Sequence, residues 1–133
     1  MKGLRSVVTG GAGFIGSNLV DHLVRIGHKV IVLDNFVSGK KANLAHHKKK
    51  DVKIIRADIS KSKNLDKYFK RADYVFHLAG LAEIIPSIKN PKKYFNTNVL
   101  GTLKVVEAAK RAGIKKLIYA ASSSCYGSPK NLP

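Results

Sequence analysis

A chain of 133 residues is long enough for one domain with a sizeable core and short for two. Its ordinary apolar share of 44% argues against disorder, and no apolar run approaches the roughly 20 residues that span a bilayer. The formal charge of +17 rests mostly on lysines scattered along the chain. Their one dense run, His46, His47, Lys48, Lys49 and Lys50, has few interleaved arginines or aromatics, so a solvated loop is expected there and no specific nucleic-acid partner.

Taken in order, the first element is a short β-branched run, Val7, Val8 and Thr9, that enters a glycine-rich turn. Gly11, Gly13 and Gly16 fit GxGxxG, and Gly10, Gly13 and Gly16 fit the looser GxxGxxG. Glycines let such a turn bring its backbone close to a pyrophosphate, whose charge the N–H groups at the following helix start would face. Ile15, Leu19, Leu23 and Ile26 then recur at helical spacing, which predicts one helix face, and Gly27 sits where a left-handed cap belongs. Lys29–Leu33 reads as a buried strand ending on Asp34. A carboxylate at the second strand tip, roughly 20 residues past the glycines, is placed to accept the adenosine ribose hydroxyls of a dinucleotide.

The alternation continues. Asn35–Lys40 is turn-rich, a short helix is expected over Lys41–His46, and Val52–Ala57 reads as a third strand that ends at Asp58. Asp58 either reaches an adenine amino group or caps the next turn. Lys61–Arg71 is a helical stretch with Leu65, Tyr68 and Phe69 facing inward; Ala72–Leu78 is a fourth strand, followed by the small Ala79 and Gly80. His77 lies within that apolar strand without an acidic neighbour, so a packed, hydrogen-bonded histidine is expected rather than a base. Pro86 and Pro91 punctuate a loop, and Pro91–Ala112 is the longest helical pattern, with Phe95, Val99, Leu103 and Val106 on one stripe. Gly101 inside it predicts a close packing contact, and Gly113 caps it. Lys116–Ala121 is a fifth strand with Ser122, Ser123, Ser124, Cys125, Tyr126 and Gly127 at its tip.

Strands alternating with helices predict an α/β fold: a parallel sheet in the order 3-2-1-4-5 with helices on both faces. The glycines, Asp34, Asp58, Ala79 with Gly80, and the serines would then share the carboxyl end of the sheet, where such folds bind ligands. The N-terminus leads straight into the first strand, so no leader is expected. The single Cys125 cannot close an internal disulfide, which fits a cytoplasmic setting without membrane association.

Four segments carry a resemblance: Val8–Ser17, Val32–Asn35, Asn98–Thr102 and Ala121–Gly127, with His77–Gly80 adding to them. On these the chain resembles the N-terminal part of the NAD-dependent epimerase/dehydratase family of extended short-chain dehydrogenases/reductases, and is most similar to its UDP-glucose and UDP-N-acetylglucosamine 4-epimerases. The resemblance implies a Rossmann-type domain over residues 1–133 that lacks the C-terminal substrate subdomain. It implies NAD on Gly10, Gly13, Phe14, Ile15 and Gly16, with Asp34 and Asn35 at the adenosine ribose and Asp58 and Ile59 at the adenine. Leu78, Ala79, Gly80 and Asn98 would line the nicotinamide half. Ser122 matches the family's catalytic Ser/Thr, which hydrogen-bonds the sugar hydroxyl that is oxidised, and Ser123 is a plausible assistant.

The resemblance further implies transient hydride transfer at C4 of a UDP-sugar substrate. The family's Tyr-x-x-x-Lys pair would fall after Pro133. Tyr126 and Lys130 mimic it in spacing, but occupy the family's own Tyr-Gly turn and are not taken as that pair. The chain is therefore expected to bind NAD and to be inactive alone; a free-standing NAD-binding or regulatory module is the alternative. Ala82 and Cys125 depart from residues common in the 4-epimerases and leave the sugar open. A homodimer through the 91–112 helix is the partner the resemblance suggests.

Overall fold

Five parallel strands form one sheet: β1 (Arg5–Thr9), β2 (Lys29–Asp34), β3 (Val52–Arg56), β4 (Tyr74–His77) and β5 (Lys116–Tyr119), in the expected order 3-2-1-4-5. The computed structural model describes residues 3–127, apart from the side chains of Ser123 and Ser124. The central strands are buried on both faces, which is why they read as near-continuous β-branched runs. Alternation then sorts their side chains into two layers. Val7, Leu33 and Val75 pack with Leu65, Phe69, Val105 and Ala108 on one face; Val8, Val30 and Val32 pack with Val20, Leu23 and Leu44 on the other. In register, Thr9 lies between Leu33 and His77, and His77 beside Tyr119, so one row of residues crosses the carboxyl end of the sheet.

Helix α1 (Phe14–Arg25) runs one step out of the expected phase. Its buried residues are Gly16, Ser17, Val20 and Leu23, whereas Ile15 and Ile26 are exposed and Leu19 is half-buried. The glycine turn sets this rotation: a Cβ at Gly16 would collide with the carbonyl of Gly10, so this position must lie against the turn. Gly27, at φ +90°, ends the helix as expected, its N–H donating to the Val24 carbonyl at 2.9 Å. A single 3₁₀ turn, Lys41–Leu44, stands in place of the helix expected over 41–46.

The helix expected over Lys61–Arg71 contracts to α2 (Asp66–Phe69). Asp58 closes a turn at 58–62, and the Ser- and Asn-containing stretch after it has no apolar face to hold a helix on the sheet. Leu65 and Phe69 are buried as expected, and Tyr68 is half-buried. The loop read around Pro86 contains a helix, α3 (Ile84–Lys89); proline is tolerated in a first turn because amides there lack intrahelical acceptors.

The long helical pattern is present in three pieces: α4 (Pro91–Tyr94), a π-helical segment Phe95–Gly101, and α5 (Thr102–Arg111). Asn90 caps its start, its side-chain oxygen accepting from the Lys93 amide at 3.2 Å. The inner face consists of Gly101, Val105, Ala108 and Ala109, while Phe95, Val99, Leu103 and Val106 are 52%, 51%, 52% and 43% exposed. Small residues let the helix lie close to the sheet, and its large apolar stripe turns outward. Gly101 makes the predicted close contact, since a Cβ there would lie 2.9 Å from Ile59 Cδ1. Among the described residues, no helix is long and apolar enough to cross a membrane.

Candidate functional site

The glycine turn sits where β1 leaves the sheet. Gly10 has φ +70°, and a Cβ on it would stand 2.7 Å from the Ala79 amide nitrogen, so only glycine lets the turn touch the end of β4. Gly13 is the N-cap of α1 and supplies no side-chain cap, and no acidic residue occupies the first turn. The amides of that turn have no intrahelical acceptor by the geometry of the helix. This positive, uncapped end suits a pyrophosphate.

The tip of β2 clamps this turn. Asp34 is buried, and its Oδ2 accepts from the Ala12 amide at 2.9 Å while Oδ1 accepts from the Phe36 amide at 2.8 Å. The Ala12 carbonyl in turn accepts from the Lys40 amide at 3.0 Å and from Asn43 Nδ2 at 2.9 Å. Phe36 is held at φ +61°, a region rare for aromatic residues, and its ring lies 5.6 Å below the Lys41 ammonium. Gly39 completes the closure, because a Cβ there would press on Ala12 at 2.9 Å.

Asp58, at the end of β3, does the capping work left open by the sequence. Its Oδ1 accepts from the Ser60 hydroxyl at 2.6 Å and the Ser60 amide at 2.9 Å, and Asn35 Nδ2 donates to Oδ2 at 3.4 Å. Burial works to raise this carboxyl, but the bonds from Ser60 and Asn35 and the charge of Lys61 outweigh it and hold the group below the usual carboxylate range.

The end of β4 is pinned by a chain of polar contacts. His77 is 1% exposed; its Nδ1 lies 2.6 Å from Thr9 Oγ1 and its Nε2 2.9 Å from Thr102 Oγ1, and the ring stacks on Tyr119. Burial pushes this imidazole down to about 4, so it is neutral at neutral pH. It is the packed histidine the sequence predicts. Thr9 Oγ1 also accepts from the Ala79 amide at 3.3 Å. Beyond it Asn98, within the π-helical segment, clasps the backbone of Leu81: Oδ1 accepts from its amide at 2.9 Å and Nδ2 donates to its carbonyl at 2.8 Å. An irregular helical turn at such a place is a common mark of a functional site.

Of the residues singled out in the sequence, Gly10, Gly13, Asp34, Asn35, Ile59, Leu78, Ala79 and Gly80 line one cleft at the carboxyl end of the sheet. A second cleft shares Leu78, Ala79 and Gly80 with it and runs on to Asn98 and Ser122, so the two form a continuous groove. Asp58 lines an adjoining hollow with Asn35. Phe14 and Ile15 are exposed at the start of α1, Gly16 is buried beneath the turn, and none of the three is among the residues lining the cleft. The side chain of Ser123 lies outside the described residues. Sequence reasoning missed Val37, Ser38, Leu81 and Thr97, which also line the groove. The Ser38-Gly39 turn was the available signal for the first pair, whereas Leu81 is held beside the groove by the Asn98 clasp, which the sequence does not announce.

Comparison with known proteins agrees with this fold. The model of the family described as NAD dependent epimerase/dehydratase matches residues 6–133. A UDP-glucuronic acid decarboxylase 2 from Arabidopsis thaliana is 43% identical over 133 residues, covering 99% of this chain and 28% of that protein. A UDP-N-acetylglucosamine 4-epimerase from Methanobrevibacter ruminantium M1, solved with UDP-N-acetylmuramic acid, superposes with a TM-score of 0.91 at 43% identity, covering 100% of this chain and 42% of that one. A UDP-glucose 4-epimerase from Thermus thermophilus, solved in complex with NAD, gives 0.80 at 37% identity, covering 90% of this chain and 38% of that one.

Proposed function

The chain belongs to the NAD dependent epimerase/dehydratase family, and from that premise we propose that it is the NAD-binding portion of a nucleotide-sugar 4-epimerase of the UDP-glucose/UDP-N-acetylglucosamine type. The observation that carries this reading is the single groove onto which the glycine turn, Asp34, the Ala79–Gly80 step and Ser122 converge. NAD, when bound, supplies a hydride acceptor. The chain's own residues do the rest on this reading. The first turn of α1 binds the pyrophosphate, Asp34 accepts from the ribose hydroxyls, and Asn35, Asp58 and Ile59 flank the adenine. Ala79 and Gly80 leave room for the nicotinamide half, and Asn98 fixes the loop beside it by holding Leu81. Phe14, Ile15 and Gly16 act through their backbone alone. Ser122, assisted by Ser123, orients the sugar hydroxyl at C4 from the tip of β5.

By the family resemblance the Tyr-x-x-x-Lys pair falls after Pro133, and residues 1–133 span 28–42% of the relatives compared above. The proposed activity of residues 1–133 alone is therefore NAD binding without turnover. The 43% identity to a decarboxylase supports a second reading, in which the nucleotide-sugar chemistry is decarboxylation on the same cofactor half. The exposed stripe Phe95, Val99, Leu103 and Val106 supports pairing of two copies through the α4–α5 face. A cytoplasmic setting completes the proposal, supported by the free thiol of Cys125.

Calorimetric titration with NAD tests it. The chain should bind one NAD saturably, and Asp34→Ala should weaken binding by on the order of 1–3 kcal/mol by removing the ribose acceptor. Absence of saturable NAD binding, or unchanged affinity in the variant, overturns the assignment. With NAD and a UDP-sugar together, residues 1–133 should release no epimer.

A further inference from the structure

The dense basic run His46-His47-Lys48-Lys49-Lys50 plays no part in the nucleotide groove, yet its two histidines are not simply solvated. Both imidazoles turn back onto α1. His46 Nε2 lies 2.9 Å and His47 Nε2 2.7 Å from the same carboxylate oxygen, Asp21 Oδ1. The rings lie 4.2 Å apart with a 40° tilt, and one ligand atom from each of the three residues falls within a single 4.8 Å group. The side chain of His47 is 9% exposed and so is fixed by packing, while those of His46 and Asp21 are 58% and 46% exposed and free to adjust.

A carboxylate oxygen can accept two N–H donors, and the same convergence of three ligand atoms also suits a cation. We propose that Asp21, His46 and His47 form a binding site for a divalent transition metal of the zinc class, which staples α1 to the segment joining β2 and β3. Two imidazoles and one carboxylate are a donor set that such borderline cations favour over calcium or magnesium. Metal–nitrogen and metal–oxygen bonds of about 2.0–2.2 Å at near-tetrahedral angles place ligand atoms roughly 3.3–3.6 Å apart. The two nitrogen–carboxylate separations of 2.9 and 2.7 Å therefore need to open by about 0.4–0.9 Å, a side-chain adjustment for the exposed His46 and Asp21. In the observed contacts each Nε2–H donates to the carboxylate; on metal binding Nε2 would give up that proton and become the ligand atom, with Nδ1 carrying the ring proton and water completing the coordination on the open side. The stapled segment begins at Asp34 and Gly39, which hold the glycine turn, so the metal would brace one wall of the nucleotide groove without entering it.

The test is titration of chelator-treated protein with zinc chloride in calorimetry, alongside cobalt(II) followed by its visible absorbance. One zinc should bind per chain, and cobalt should give the intense bands of a four- or five-coordinate site. Binding should vanish in the His46→Ala/His47→Ala double variant, weaken in Asp21→Asn, and survive His22→Ala, which removes a neighbouring histidine on the same helix. Zinc should raise the melting temperature of the native chain and leave the double variant unchanged. No zinc uptake, or uptake that persists in the double variant, overturns the proposal. Asp21→Asn and the cobalt spectrum keep it testable if the double variant folds poorly.

Discussion

Thr9→Val probes the polar chain beneath the groove. Thr9 is fully buried, and its hydroxyl joins two elements of the sheet's carboxyl end: His77 Nδ1 at 2.6 Å and the Ala79 amide at 3.3 Å. The hydroxyl accepts from the Ala79 amide and shares one hydrogen bond with His77 Nδ1, while His77 Nε2 and Thr102 Oγ1 share another. Valine keeps the shape of threonine, so the packing change is small, but it strands a buried imidazole nitrogen and a backbone amide. Each unsatisfied group costs about 1–3 kcal/mol, and the longer Ala79 bond belongs at the low end, giving a destabilisation of about 2–4 kcal/mol. Thr9→Ser keeps the hydroxyl and loses a methyl, for about 1 kcal/mol. Urea unfolding should rank the native chain above serine and serine above valine, with unchanged slopes. A valine variant as stable as the serine one would refute the hydrogen-bond network and leave packing alone to explain the site.

His77 adds a pH signature. Its folded value is lowered from 6.5 to about 4, so below pH 6.5 the unfolded chain takes up a proton that the folded chain refuses. Stability from this group is whole above pH 6.5 and falls by about 3 kcal/mol as pH drops to about 4. Urea midpoints across that window should fall in the native chain and flatten in His77→Gln; parallel profiles would refute it. Asp58, whose carboxyl is held down, contributes in a separate window: its share persists above 3.8 and is lost as pH falls through its lowered value. Gly101→Ala should destabilise by about 1–3 kcal/mol through the clash with Ile59, although alanine favours the helix by about 1 kcal/mol. Thermal melts would decide, and a neutral or stabilising effect would mean α5 can shift away from the sheet.

What was legible in the sequence was whatever a buried strand or a forced backbone writes into residue types. Val7, Val8, Val30 and Val32 are buried on a two-faced sheet and could be nothing but strand. Gly10 must meet Ala79, and Asp34 must stand at a strand tip, so both were readable. Helix phase was not. Ile15 and Ile26 look like core by spacing, but Gly16 under the turn fixes the rotation of α1 and turns them out. The same happened along the π-helical segment and α5, where Gly101, Ala108 and Ala109 approach the sheet more closely than any large side chain could. Asn98 read as a groove residue, but its clasp on Leu81 depends on a π-helical segment that no spacing announces.

Asp34 shows how fold and proposed function share one group. A carboxylate offers about four acceptor directions. Two are taken by the Ala12 and Phe36 amides, which close the glycine turn and hold the strained loop after β2. Two remain, which matches the pair of ribose hydroxyls that the cofactor reading assigns to it. The structural bonds orient the carboxylate before any ligand arrives, so little ordering is left to oppose binding. On the same cofactor reading, a buried carboxylate bonded to two backbone amides would repel a phosphate on the 2′ oxygen and so favour NAD over NADP. The acid at this strand tip is thus constrained twice, once by the chain that folds around it and once by the ligand proposed to complete it.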